Sequence, residues 1–348
     1  MMDRQPVPSS AGEAQPATPA LSRRQLITAG ATLGGSLSTA LGASTSSPAA
    51  PSGSARGPGT PAAATELAPL DRAFVRLREG LKHYRSAGFQ PGARRRRDAP
   101  LPLYMVHAGP GSSRSLESLV QRLGTDRPVI APDTLGNGDS APPEAAAPDV
   151  AYYADSVLRT LDALGLERVD FYGSHAGAQI GCELALRWPD RVRRLVFDGV
   201  ALFPASLRLE MIERYAPPMQ PDDVGGQFAW AWQFVRDMSL FFPHYARDGA
   251  HRLANAVAPA DSLHASVVDV LKALRTYHLT YHATLRNDFA SRLPQLKLPV
   301  LCIGREGDPL AEYVERAAAL IPTATSARVP RSDAPALVAT IRGFLAQA

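Results

Sequence analysis

Cysteine is scarce in this sequence of 348 residues, which contains only Cys182 and Cys302. Each cysteine lies inside an apolar segment, where buried, unpaired thiols are expected. A chain of this length can bury a sizeable core without covalent cross-links. We therefore expect no disulfide framework, and cysteine usage gives no information on the cellular compartment.

A long uninterrupted apolar run is also missing from the N-terminal region. Its most apolar part, LITAGATLGGSLSTALGAS at residues 26–44, is too short and too often interrupted by glycine to form a stable membrane span. We therefore expect no membrane anchor in the mature protein.

Excess charge is small, because the formal net charge is only +4 and 20% of the residues are charged. Much of the basic excess lies in one run, Arg94 to Arg97, and no aromatic residue interleaves with it. Such a run is typical of a solvated loop. We therefore expect no nucleic-acid partner.

The N-terminal residues 1–43 carry the pattern of an export signal. Ser22-Arg23-Arg24-Gln25-Leu26 precedes a mildly apolar stretch rich in glycine, alanine and serine, which ends in small residues. This resembles a twin-arginine signal, and a disordered basic tail is the alternative. Residues 44–65 are rich in proline, glycine, serine and alanine and predict a flexible linker. A periplasmic or secreted location is expected.

Strand, loop and helix patterns alternate along the rest of the chain. Two partly alternating runs joined at Gly80 predict a hairpin, and later apolar runs each break into a glycine-rich loop before a helical pattern. This alternation predicts an α/β fold with a mostly parallel, doubly wound sheet formed by residues 66–203 and 293–348. Residues 204–292 predict helices without strands, a helical lid inserted between strands 6 and 7.

Four short motifs follow predicted strands in a consistent order. They are VHAGPGS (Val106 to Ser112), DTLGNGDS (Asp133 to Ser140), GSHAG (Gly173 to Gly177) and GREGDP (Gly304 to Pro309). Together they resemble the oxyanion loop, the loop after the fourth strand, the nucleophile turn and the acid loop of the α/β-hydrolase superfamily. The resemblance extends from about residue 70 to the C-terminus and implies the α/β-hydrolase fold.

The chain departs from this superfamily at two positions. The nucleophile turn needs small residues two positions before and after its centre, which places His175 rather than Ser174 at the nucleophile position between Gly173 and Gly177. In the superfamily, a catalytic histidine also follows the last strand, but none of the eight histidines here lies beyond His282. Ordinary serine-esterase chemistry is therefore not expected.

His175 and Asp308 are the two residues that remain at the superfamily's catalytic positions, and they suggest an atypical catalytic pair. The resemblance implies that Asp308 is the catalytic acid, although an aspartate before proline is also a common helix cap. We expect one ring nitrogen of His175 to donate to Asp308 and the other to face the substrate. The backbone amides of Gly109 and Ala176 would hold a developing oxyanion. Asp198 is a second possible acid, more often a turn residue.

Four further side chains are expected to bind the substrate: Ser174, His107, Trp232 and His278. His278 and His282 are four residues apart and share a helix face, but no third ligand is evident, so we expect no metal and no other cofactor. Aromatic residues in the insertion suit a small substrate, such as an aromatic one.

Three functional interpretations stay open from the sequence. The first is a hydrolase that cleaves an ester, amide or C–C bond with the His175–Asp308 pair. The second is a cofactor-free lyase or isomerase on the same scaffold, with His175 as a proton shuttle. The third is a non-catalytic protein that binds a small molecule.

Overall fold

The computed structural model describes residues 67–92, 99–330 and 334–347. The predicted export signal (residues 1–43), the predicted linker (residues 44–65) and the run Arg94 to Arg97 lie outside the described residues. The account below concerns the described part of the chain.

The fold begins with the predicted hairpin. Strand β1 (Asp71–Leu77) pairs antiparallel with β2 (Gly80–Ala87), and Leu77 is opposite Gly80. Gly80 has a φ angle of 131°, which a residue with a side chain rarely adopts, and this explains the glycine at the turn.

The described residues form one eight-stranded sheet, in the order β1-β2-β4-β3-β5-β6-β7-β8. The first two strands are antiparallel to their neighbours, and the strands from β4 to β8 pair in parallel. The remaining strands are β3 (Leu103–Val106), β4 (Val129–Pro132), β5 (Val169–Ser174), β6 (Val192–Asp198), β7 (Val300–Arg305) and β8 (Ala324–Val329).

Helices cover both faces of this sheet, as the alternation predicts. The ten α-helices of the described residues are α1 (Glu117–Leu123), α2 (Val150–Ala163), α3 (Ala176–Arg187), α4 (Ala205–Arg214), α5 (Gly226–Leu240), α6 (Ala260–Lys272), α7 (Tyr277–Arg286), α8 (Phe289–Arg292), α9 (Val314–Leu320) and α10 (Ala334–Leu345). One apolar cluster joins α2, α3 and α9 to the sheet, and another joins α1 and α10. The predicted doubly wound α/β fold is confirmed.

The central strands are buried on both faces. Every residue of β3 and β4 is buried, which accounts for their continuous apolar sequences LYMV and VIAP. Their carboxyl ends, with those of β5, β6 and β7, lead into loops at one edge of the sheet. In open parallel sheets, ligands bind at this edge.

A helical insertion, residues 204–292, separates β6 from β7 and contains α4 to α8. It has apolar clusters of its own, one built around Phe234 and Tyr277 and another around Met211 and Tyr215. The insertion therefore packs internally.

Cys182 and Cys302 are both buried and unpaired, as predicted. Burial raises the pKa of each thiol to about 12, so neither is a nucleophile at neutral pH. Across the described ranges, none of the helices combines the length and the apolar character needed to cross a bilayer.

Candidate active site

His175 occupies the sharp turn between β5 and α3. Its backbone has φ 50° and ψ −103°, and it is the one non-glycine residue with positive φ in the described part of the chain. A Cβ built on Gly173 would lie within 3.0 Å of the backbone of Gly177, and one on Gly177 would lie 2.5 Å from the carbonyl oxygen of Val106. The structure thus places His175, and not Ser174, at the centre of the turn.

Asp308 contacts the ring of His175 directly. Nε2 of His175 lies 2.7 Å from Oδ2 of Asp308, while Oδ1 accepts a hydrogen bond of 2.8 Å from the amide of Leu310. The same carboxylate therefore binds the imidazole and caps the short helix Pro309–Tyr313. The expected contact is present, and its catalytic role stays a prediction.

The charge states of this pair follow from the contact. Burial acts to raise the pKa of Asp308, but the charge and hydrogen bond of His175 outweigh it and hold that pKa below its usual value. An ionised carboxylate can only accept, so Nε2–H of His175 is the donor. Nδ1 makes no hydrogen bond to any described residue.

The pKa of His175 is raised. Burial of the ring acts to lower it, but the charge of Asp308, the hydrogen bond to it and the charge of Asp198 together raise the pKa above the ordinary value of 6.5. The imidazole is therefore a stronger base than an isolated histidine.

Gly199 makes room for the imidazole, a role that none of the four sequence motifs indicates. It directly follows β6 with φ 81°, and a Cβ built on it would lie 2.8 Å from Nε2 of His175 and 3.4 Å from Oδ2 of Asp308. A glycine immediately after a strand that ends in aspartate was the signal available in the sequence.

Asp198, the second possible acid, is 2% exposed and lies beside this pair. Its Oδ2 accepts a hydrogen bond of 2.5 Å from the hydroxyl of Tyr172, and its backbone carbonyl accepts the amide of His175 at 3.0 Å. Burial raises the pKa of Asp198 despite the Tyr172 hydrogen bond. The structure thus pairs Asp308, rather than Asp198, with the imidazole ring.

The two proposed oxyanion donors, Gly109 and Ala176, line the same cavity as His175. Ala176 is the first residue of α3, where a backbone N–H has no partner inside the helix and the helix dipole favours negative charge. The amide of Gly109 donates to no other backbone group of the described residues, while its carbonyl accepts the hydroxyl of Tyr281 at 2.9 Å. Both amides are therefore available to a ligand.

This cavity has a volume of about 630 Å³. Ser174 and His175 line it on the side of the sheet, and the helical insertion provides most of the apolar wall. The apolar and aromatic lining includes Leu202, Phe203, Met211, Tyr215, Met238, Phe242, Tyr281, Leu285 and Phe289. A small, largely apolar molecule fits such a lining.

Tyr215 is the centre of the aromatic wall and was not among the expected site residues. Its ring packs edge-on against Phe242 at 6.2 Å and against Tyr281 at 5.3 Å between centroids. No sequence motif indicates Tyr215, because these rings come together only when the end of α4 packs against α7 and the segment after α5.

Three of the expected substrate contacts, His107, Trp232 and His278, do not line this cavity, so the structure does not bring them together with His175. His107 is 2% exposed, and its two ring nitrogens bond the carbonyl of Ala108 and the amide of Thr134, so the ring holds loops together. Trp232 is 46% exposed on α5. His278 packs against Tyr277 and His282 instead. Ser174 does line the cavity, as expected.

A cluster of potential metal ligands lies elsewhere in the described residues and consists of His83, Asp133 and Asp139. Its oxygens already accept protein donors. Asp133 accepts from Ser113, from the amide of Asp139 and from His83, while Asp139 pairs with Lys272 at 2.7 Å. This arrangement is suited to holding the loop after β4.

Backbone strain at position 175 yields a stability prediction. We expect His175→Gly to have a free energy of unfolding about 1 kcal/mol higher than His175→Ala, because glycine tolerates the positive φ at this turn. Both variants lose the imidazole, so the comparison isolates the backbone. Urea unfolding monitored by circular dichroism measures it, and an alanine variant as stable as the glycine variant would contradict the strain at this turn.

A family model and several known hydrolases match this chain in sequence. The family model described as alpha/beta hydrolase fold matches residues 102–330. The 2-hydroxymuconate semialdehyde hydrolase of Pseudomonas sp. (strain CF600) is 39% identical over 170 residues, which are 47% of this chain and 60% of that protein. The putative carbamate hydrolase RutD of Rhizobium rhizogenes is 26% identical over 240 residues, 64% of this chain and 80% of that protein.

Among curated relatives, three semialdehyde or heptadienoate hydrolases are matched over only 60%, 37% and 44% of their own lengths. Solved structures match more completely. The enol-lactonase from Burkholderia xenovorans LB400 is 20% identical with a TM-score of 0.58, covering 79% of this chain and all of that one. A hydrolase from Pseudomonas aeruginosa is 21% identical with a TM-score of 0.58, covering 80% and 99%. At these identities the structures support the fold alone.

Proposed function

The chain belongs to the alpha/beta hydrolase fold family, and we propose that it is a hydrolase in which His175 and Asp308 activate water against a small, largely apolar substrate. The bond cleaved is an ester, amide or C–C bond adjacent to a carbonyl group. The hydrogen bond of 2.7 Å between Nε2 of His175 and Oδ2 of Asp308, at the wall of the cavity, carries this proposal.

The relatives favour hydrolysis over the other two interpretations. Those matched in sequence are named as hydrolases of a semialdehyde, of a heptadienoate and of a carbamate. A non-catalytic binding protein also has no need for a strained turn, two glycines that permit it, and a carboxylate on the imidazole. Strain of this kind concentrates at functional sites.

The proposed reaction uses groups that lie together in the cavity. Nδ1 of His175 takes a proton from a water molecule, whose oxygen attacks the carbonyl carbon of the substrate. The oxyanion that forms accepts hydrogen bonds from the amides of Gly109 and Ala176, a contribution of about 3 kcal/mol in comparable sites. The imidazolium, stabilised by Asp308, then returns the proton to the leaving group as the bond breaks.

The helical insertion acts as a lid in this proposal. It provides the aromatic wall of the cavity, and the hydroxyl of Tyr281 bonds the carbonyl of Gly109, next to the proposed oxyanion site. Enclosure by the insertion would exclude bulk water and strengthen each polar interaction with the substrate.

Reaction without a nucleophilic serine predicts resistance to fluorophosphonates, which modify activated serines. Hydrolysis of a panel of aryl esters by the purified protein is expected to continue after incubation with a fluorophosphonate that inactivates a serine esterase of the same fold in parallel. Intact-mass spectrometry should show no adduct. Labelling of Ser174 together with loss of activity would show that the serine, and not His175, starts the reaction.

A further inference from the structure

We propose that Arg208 and Gln179 form a subsite that binds a carboxylate group of the substrate. This inference rests on the proposed function, since it identifies the chemical class of substrate that the same cavity takes. Both residues line that cavity, Arg208 from α4 of the insertion and Gln179 from α3.

Arg208 is a cation that the protein orients without neutralising. Its Nη1 donates to the backbone carbonyl of Asn287 at 2.7 Å, while its Nε is buried and has no hydrogen-bond partner. No carboxylate of the described residues forms an ion pair with this guanidinium. By contrast Arg214, six residues further along α4, pairs with Glu210 at 2.9 Å.

Gln179 is oriented by the same residue, Asn287. The amide nitrogen of Asn287 donates to Oε1 of Gln179 at 2.8 Å, so the donor group of Gln179 is not used in this bond. Gln179 is only 4% exposed, and it lines the cavity. The two side chains thus offer donors to a ligand in the cavity.

An anion supplies what both groups need. A guanidinium that lines the cavity and has no carboxylate partner among the described residues is stabilised by a ligand oxygen that bears negative charge. The planar fork of arginine matches the two oxygens of a carboxylate. Of the acidic residues that line the cavity, Asp308 is occupied by His175, and Asp288 and Glu306 are exposed.

The position of the subsite constrains the substrate. Gln179 follows His175 by four residues, which is one turn of α3 and about 6 Å along its axis. The carboxylate would therefore be separated by a few atoms from the bond that is cleaved, with the apolar body of the substrate against the aromatic wall.

A pair of matched probes tests the subsite without requiring turnover. Isothermal titration calorimetry of the full protein with 3-phenylpropanoate and with the neutral 3-phenylpropanamide is expected to show tighter binding of the acid. Arg208→Gln should weaken the acid by about 10- to 100-fold and leave the amide nearly unchanged, the loss typical of a hydrogen-bonded charge. Arg208→Lys keeps the charge without the fork and should lose less.

Arg214→Gln is the matched control, because it changes the charge of the same helix outside the cavity and should keep the preference for the acid. Equal binding of acid and amide by the wild-type protein would overturn the proposal. So would an equal loss for both probes in Arg208→Gln, or an equal loss of preference in Arg214→Gln. Repeating the titrations in His175→Ala separates the two proposals, since the subsite should bind the acid even in a protein that hydrolyses nothing.

Discussion

His175→Ala is expected to lower kcat/KM for hydrolysis by about 1,000-fold or more, the largest effect of any single substitution in this protein. The variant loses the base that takes the proton from water, and general base catalysis contributes about 100- to 10,000-fold. It also loses the group that returns this proton to the leaving group. Steady-state kinetics on the best substrate of the ester, amide and C–C panel provide the measurement.

The control for this substitution is His264→Ala, because His264 is exposed on α6 and does not line the cavity. It should change kcat/KM by less than about twofold, as is usual for surface substitutions that touch no functional group. Thermal unfolding of both variants checks that the fold is retained. A His175→Ala variant that is folded and retains a tenth of the activity would show that the reaction does not pass through this imidazole.

Asp308→Asn is expected to lower kcat/KM by about 100- to 1,000-fold. The neutral amide no longer stabilises the imidazolium, and its NH₂ group can donate to Nε2 and so favour the wrong tautomer of His175. The fold should persist, because the amide oxygen of asparagine can still accept the hydrogen bond that Asp308 takes from Leu310.

Asp190→Asn provides the matched control, since Asp190 is exposed in the short helix Pro189–Arg191 and lies outside the cavity. It makes the same chemical change and should leave kcat/KM unaltered. If Asp308→Asn remains within threefold of the wild-type protein, the carboxylate serves only as the cap of its helix.

The turn at His175 and its pairing with Asp308 can be predicted from the sequence, because the turn is encoded locally and the sheet fixes where the strand ends meet. Glycines at 173 and 177 are required by backbone approaches that a Cβ would block, so the turn is encoded within five residues. Strand ends in a parallel sheet meet at one edge, which brings the residue after β5 close to the loop that follows β7. The pairing of His175 with Asp308 therefore follows from position in the fold.

Residues of the helical insertion are harder to predict, because their surroundings depend on how its helices pack. Trp232 and His278 carry the right chemistry, yet their helices direct them away from the cavity, and Tyr215 lines it without belonging to any motif. The proposed role of Arg208 is equally hard to predict from the sequence, because it depends on the absence of a carboxylate partner in the folded protein. No local sequence pattern indicates whether an arginine will have an ion-pair partner in the folded protein.

The pH dependence of kcat/KM in the wild-type protein and in Asp308→Asn tests the role of the pair most directly. Neutral His175 is the active form, so activity should fall as pH decreases through its pKa, which the neighbouring carboxylate raises above 6.5. Removing that charge lowers the pKa, so the acid limb of Asp308→Asn should move to lower pH. An acid limb at or below pH 6.5 in the wild-type protein, or one that stays in place in the variant, would contradict a His175–Asp308 catalytic pair.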